Sequence, residues 1–176
     1  MRYFIMEQDE EYINVPKIIN WYDRIDVRQI KPGASGKLPP KIAFNIRENA
    51  DVVFTDVLTN PFLLYSANIM EAVEIYEPKI PHKQIVLLEK KSRHTAVYYL
   101  PILKKVDCLS GKSELNRDKS IIRHAVLEET KLPPQSIFQL DGVLSTYTVI
   151  RLDLVESMLR RGMRGISLRE AELART

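Results

Sequence analysis

The spacing of apolar positions switches from strand-like to helix-like most clearly between Tyr147 and Leu168. Tyr147-Thr148-Val149-Ile150 is β-branched and aromatic, which predicts a strand. Leu152, Val155, Met158 and Leu159 then recur at helical spacing and predict a helix over Leu152–Arg161. Asp153 stands where a side chain caps the helix, with Glu156 three residues on in the capping-box position. Gly162 provides a left-handed stop, and Arg160, Arg161 and Arg164 suit the negative end of the helix dipole. A second strand closes the unit at Leu168.

The same pattern returns eighty-five positions earlier, over 62–88. Phe62-Leu63-Leu64-Tyr65 aligns with Tyr147–Ile150. Asn68 aligns with Asp153, Glu71 with Glu156, and Ile69, Met70 and Val73 with Leu154, Val155 and Met158. The helix is predicted over Ser66–Glu77, with Asn68 and Ser66 as rival caps and Pro78 as the stop. A strand–helix unit buries its apolar face only against a neighbour, so two related units would build one core. Identity between the stretches is low, and two unrelated capped units would align as well.

The rest of the chain reads as short strands. Tyr3–Met6, Ile25–Ile30, Ile42–Ile46 and Asp51–Thr55 are expected to be extended. Gln84–Glu89 is a nearly continuous apolar run, as in a strand covered on both faces. The charged turn Lys90–His94 links it to Thr95–Val106, a long strand expected to break at Pro101. Ser120–Val126 and Ile137–Leu140 are further strands, with a turn at Asp141-Gly142. Loop 31–41 holds two glycines and three prolines, and lacks the spacing of a phosphate loop. Arg169–Thr176 reads as a polar tail with helical character. The expected fold is a single α+β domain over 1–176, with an antiparallel or mixed sheet and two principal helices lying on it.

Composition narrows the class. The chain has 176 residues and 45% apolar content, enough for one ordinary core. A net charge of +3 on 28% charged residues falls short of a nucleic-acid binder's basic excess. Cys108 is the only cysteine, so an intrachain disulfide and a cysteine-rich metal site are both excluded. The N-terminal stretch lacks the apolar segment and cleavage site of a signal peptide, and no apolar run is long enough to span a bilayer. A cytoplasmic protein without membrane contact is expected.

Candidate chemistry is sparse. His82, His94 and His124 follow no metal-ligand spacing, and Asp107-Cys108 has no basic partner nearby to activate the thiol. No serine lies in a nucleophile-elbow setting. No catalytic, cofactor-binding or metal residue is therefore assigned. Trp21, Tyr22, Arg24 and Arg28 form the densest group of aromatic and arginine residues, beside an acidic run at Glu7–Glu11. Such residues anchor protein interfaces, although Trp21 and Tyr22 also fit a core role.

Three stretches carry a family resemblance. Asn20-Trp21-Tyr22 with Asp26-Val27-Arg28, Tyr99–Leu103 with Val106–Leu109, and Ile137–Leu140 through Leu154-Val155 to Gly165-Ile166 resemble the immunity-protein family numbered eleven of bacterial polymorphic toxin systems. That family usually has serine before the closing helix, where this chain has Arg151; Ser66 supplies such a serine in the first unit. The resemblance implies a small non-catalytic protein that binds and neutralises a cognate toxin domain, with no cofactor. The slightly basic charge gives no support to a nuclease as the target. Two alternatives stay open: a small enzyme, expected to show converging polar groups in a cleft, and a nucleic-acid or scaffold binder. The second would use a basic hairpin face joining Lys90, Lys91, Lys104 and Lys105 to Arg160, Arg161 and Arg164.

Overall fold

A computed structural model describes residues 1–175. In chain order the strands are β1 (Tyr3–Gln8), β2 (Ile18–Ile19), β3 (Lys41–Ile46), β4 (Val57–Leu58) and β5 (Leu64–Ser66), followed by helix α1 (Ala67–Tyr76). Next come β6 (His82–Glu89), β7 (His94–Pro101), β8 (Lys105–Val106), β9 (Glu114–Leu115), β10 (Ile122–His124), β11 (Val126–Glu128), β12 (Ile137–Leu140) and β13 (Thr148–Arg151). Helix α2 (Leu152–Arg160) and β14 (Ile166–Ala174) complete the fold. It is an α+β domain with two principal helices and two mixed six-stranded sheets, ordered β2-β3-β6-β7-β5-β4 and β11-β14-β1-β13-β12-β8.

The helices share one core between the sheets. Ile69, Met70 and Val73 of α1 meet Leu154, Val155 and Met158 of α2, along with Tyr65 of the first sheet and Met6 and Ile150 of the second. The Tyr76 hydroxyl donates to the Asp153 carbonyl at 3.0 Å and ties the helices together. Because side chains alternate along a strand, each sheet has a second apolar face. On the first sheet Phe44, Leu64, Ile85 and Leu100 lie under Ile25 and Leu38. On the second, Ile5, Phe138 and Val149 lie under Cys108, Ile122 and Ala125.

Helix boundaries follow local hydrogen bonding. Ser66, not Asn68, caps α1: its Oγ accepts from the Ile69 N–H at 3.4 Å. Asp153 does not cap α2. Arg151 holds the cap position, and the Asp153 carboxylate receives two 2.8 Å hydrogen bonds from its guanidinium. The buried face of α2 is Leu154, Val155 and Met158, while Leu159 is 52% exposed, so the apolar stripe is rotated from the expected one. Gly162 ends α2 at φ 68°, as its position suggests.

Other expectations change. Ile25–Ile30 is not a strand: Asp26 accepts from the Arg28 N–H at 3.0 Å and winds Val27–Gln29 into a short 3₁₀ turn. Asp51–Thr55 carries no strand; pairing begins at Val57. Gln84–Glu89 is not covered on both faces, since Ile85 and Leu87 are buried while Val86 and Leu88 are only half-buried. The β6–β7 hairpin forms as expected, and the Glu89 carboxylate fastens its turn by accepting from the Lys91 and Ser92 N–H groups at 3.0 and 2.8 Å. Thr95–Val106 does not stay in one sheet. The ladder stops at Pro101, which lacks a donor, and Lys105-Val106 joins the second sheet beside Gln139-Leu140. Ser120–Val126 divides into β10 and β11 in separate sheets. The expected helical tail at Arg169–Thr176 is instead strand through Ala174, paired with β1 and β11; Thr176 lies outside the described residues.

Candidate functional site

A trench runs along the exit of β1. It consists of three abutting clefts of about 510, 420 and 380 Å³, all lined by Gln8 and Glu10. The first is walled by Asn60, Pro61, Ile121 and Leu144; the second by Ile13, Trp21 and Pro61; the third by Ile122, Ser167 and Arg169. Local chain geometry explains the shape. The Asp9 N–H still bonds to the Gly165 carbonyl at 2.9 Å, so the acidic run leaves β1 along the start of β14. The Gln8 side-chain carbonyl accepts from the Thr59 N–H at 3.3 Å and brings the β4–β5 loop alongside. The Leu144 N–H donates to the Lys119 carbonyl at 3.0 Å and fixes the opposite wall.

The trench has a mixed lining, in which Ile13, Pro61, Ile121 and Leu144 stand among Thr59, Asn60, Ser120, Ser145 and the carboxylates. Leu144 is 74% and Ile13 78% exposed, large apolar side chains that the fold itself leaves uncovered. Glu7 is neutralised by Arg169, whose guanidinium donates at 2.9 and 3.0 Å and also reaches the Ile122 carbonyl. Glu10 and Glu11 form no ion pair among the described residues. A cationic group entering the trench therefore meets an unpaired carboxylate, with exposed apolar side chains beside it.

The four sequence candidates divide. Trp21 is half-buried. One edge packs against Phe62 at 6.1 Å, sealing the first sheet's outer core, and it also lines the trench. Tyr22 stacks edge-on against it at 5.9 Å and is 65% exposed. Arg24 donates to the Ala43 carbonyl at 3.1 Å on the outer edge of β3. Arg28 forms two 3.0 Å hydrogen bonds with the Asp26 carboxylate, which holds that carboxyl below its ordinary range. Neither arginine lines the trench. Sequence reasoning missed Ile13, Ile121 and Leu144. The available signal was an apolar residue inside a polar turn, as with Leu144 after Asp141-Gly142.

The other candidate groups stay apart. Lys90 and Lys91 sit at the β6–β7 turn, and Lys91 pairs with Glu48. Lys104 and Lys105 lie past the far end of β7, an eight-residue strand spanning about 27 Å, and Lys105 belongs to the other sheet. Arg160 pairs with Glu156 and Arg161 with Ser157. The expected basic hairpin face is not assembled. His82 and His124 each face one glutamate, Glu74 at 3.6 Å and Glu172 at 3.3 Å. Among the described residues no three His, Cys, Asp or Glu side chains converge as metal ligands. Cys108 is fully buried, and burial pushes its thiol pKa up to about 11, opposite to what an activated nucleophile needs. No described helix is long and apolar enough to cross a membrane.

The chain matches no protein-family model, and no curated protein is similar enough to count as a relative.

Proposed function

We propose that this protein is a non-catalytic immunity protein that binds and neutralises a toxin domain. The observation that carries the reading is the trench. Exposed Ile13, Ile121 and Leu144 line it beside polar side chains and the unpaired Glu10, and Trp21, with exposed Tyr22 packed edge-on against it, lines one end. An aromatic anchor beside exposed apolar side chains, with polar and charged groups around them, is the combination that concentrates binding energy at protein interfaces. The resemblance of the Asn20–Arg28, Tyr99–Leu109 and Ile137–Ile166 stretches to an immunity-protein family supports the same reading. The partner chemistry that suits the trench is a protein segment presenting lysine or arginine next to apolar side chains. A phosphate backbone would be repelled by Glu10 and Glu11.

The test is protection. Cells that express the toxin domain encoded beside this gene should survive when the protein is co-expressed. Survival should fall with the trench variant Glu10→Arg/Leu144→Asp at equal protein level. Toxicity undiminished by the wild-type protein refutes the proposal.

A further inference from the structure

The two sheets hold one arrangement twice. In the first sheet, β3 runs parallel to β6, and β6, β7, β5 and β4 follow with each neighbouring pair antiparallel. In the second, β11 runs parallel to β14, and β14, β1, β13 and β12 follow with each neighbouring pair antiparallel. In both, a helix leaves the fourth strand of this series and returns to the second: β5–α1–β6 and β13–α2–β14. The strand between them is β7 in one case and β1 in the other.

The correspondence extends to single residues. Tyr98 pairs with Ser66 and Ile85, and Tyr3 pairs with Arg151 and Ala171. Tyr99 pairs with Tyr65 and Gln84, and Phe4 with Ile150 and Glu170. Tyr98-Tyr99-Leu100 therefore matches Tyr3-Phe4-Ile5, in residue type as well as position. Tyr98, Leu100, Tyr3 and Ile5 are buried toward the outer cores, while Tyr99 and Phe4 pack on the shared helix core. At the other end, Val57 pairs with Tyr65 and Ile137 with Ile150. Outside the five strands the sheets differ, with β2 added antiparallel beside β3 in the first and β8 added parallel beside β12 in the second; within the series the main difference is covalent. β6 and β7 are joined by the turn Lys90–Arg93, whereas β14 and β1 pair across opposite ends of the chain.

From this we infer that the protein consists of two copies of one five-stranded unit joined in a ring, with the second copy opened at its hairpin. β1 is the missing hairpin strand of the C-terminal copy, so it belongs to that copy although it lies first in sequence. The trench sits on this seam: Glu7 and Gln8 end β1 there, Glu10 follows, and the Gln8 side chain accepts from the Thr59 N–H of the other copy. The inference does not depend on what the trench binds.

If the β6–β7 turn and the β14–β1 gap are equivalent, the ring has two interchangeable places to open. The test is a circular permutant of the full chain. Residues 1 and 176 are joined by a Gly/Ser linker of about six residues, and the chain is opened between Lys91 and Ser92. It should unfold in one cooperative urea transition with the parent's m-value. Its slowest-exchanging amides should again include β1 between β13 and β14. A second variant lacking Met1–Gln8 should lose cooperative unfolding, because the C-terminal copy then lacks its central strand. A permutant that stays unfolded, or a deletion variant that unfolds like the parent, overturns the inference.

Discussion

Ser66 and Arg151, eighty-five residues apart, do the same job. Each is the last residue of a strand and the N-cap of the helix that follows. Each donates its backbone N–H to the residue before a neighbouring strand: Ser66 to the Asp56 carbonyl at 2.9 Å, Arg151 to the Ser136 carbonyl at 2.8 Å. Asp56 and Ser136 in turn reach the segment after the opposite helix. The Asp56 carboxylate accepts from the Arg164 N–H at 2.6 Å, and the Ser136 N–H donates to the Glu77 carboxylate at 2.6 Å. The start of each helix is thereby braced to the end of the other.

Equivalent helix positions should carry equivalent energy. Ile69 and Leu154 are fully buried at matching sites. Ile69→Ala and Leu154→Ala should each cost about 2–5 kcal/mol in urea unfolding, whereas exposed Leu159→Ala should stay within about 0.5 kcal/mol. A large loss at Leu159 would show that the helix lies in the phase its sequence suggests rather than the one described above.

Gly165 should not tolerate a side chain. Its φ is 74°, and an added Cβ would collide with the Thr55 side chain. Gly165→Ala should lower the melting temperature sharply, combining left-handed strain with a clash that Thr55 cannot relieve by rotation. Gly111→Ala, which meets nothing within 4 Å, should melt like the parent. Equal melting temperatures for the two variants would contradict this packing.

The Arg151–Asp153 pair should make stability depend on acid. Hydrogen bonds from Arg151 hold the Asp153 carboxyl below its ordinary value, so the folded pKa lies under the unfolded one. The contribution is present above the unfolded pKa and is lost as pH falls through the depressed folded one. Asp153 is 45% exposed, so solvent screening limits the effect to about 1 kcal/mol. Asp153→Asn should be less stable than wild type at neutral pH, and the gap should close in acid. A gap that widens in acid would contradict the assignment.

Cys108 should be chemically silent while the fold is intact. It is buried among Leu127, Phe138 and Leu140, and its thiol pKa is pushed up to about 11. A thiol reagent at mildly alkaline pH should label it only as fast as the protein unfolds. Rapid labelling of the native protein would place the thiol at an accessible site. Cys108→Ser would put a hydroxyl into that apolar core at a cost of about 1–3 kcal/mol, so alanine is the cleaner replacement.

Much of the frame was legible before the structure. The offset of eighty-five residues aligned both strand–helix junctions, because helical spacing and short apolar strand runs are local signals. The role of β1 was not legible. Its pairing with β14 joins Tyr3 to Ala171, and no local pattern encodes a contact over that separation. The likeness of Tyr3-Phe4-Ile5 to Tyr98-Tyr99-Leu100 was present in the letters, but it acquires meaning only once both strands are seen between the same neighbours. At the trench, Trp21 stood out by type. Leu144 and Ile121 did not, because an apolar side chain in a turn becomes informative only when the fold leaves it uncovered.

Direct binding tests the functional account most closely. In calorimetric titration, the purified protein should form a stoichiometric complex with the toxin domain encoded beside its gene. Glu10→Arg and Leu144→Asp should each weaken that complex at least tenfold, about 1.4 kcal/mol, with melting curves like the parent's. Absence of a complex with the wild-type protein, or trench variants that bind as tightly as the parent, would contradict it.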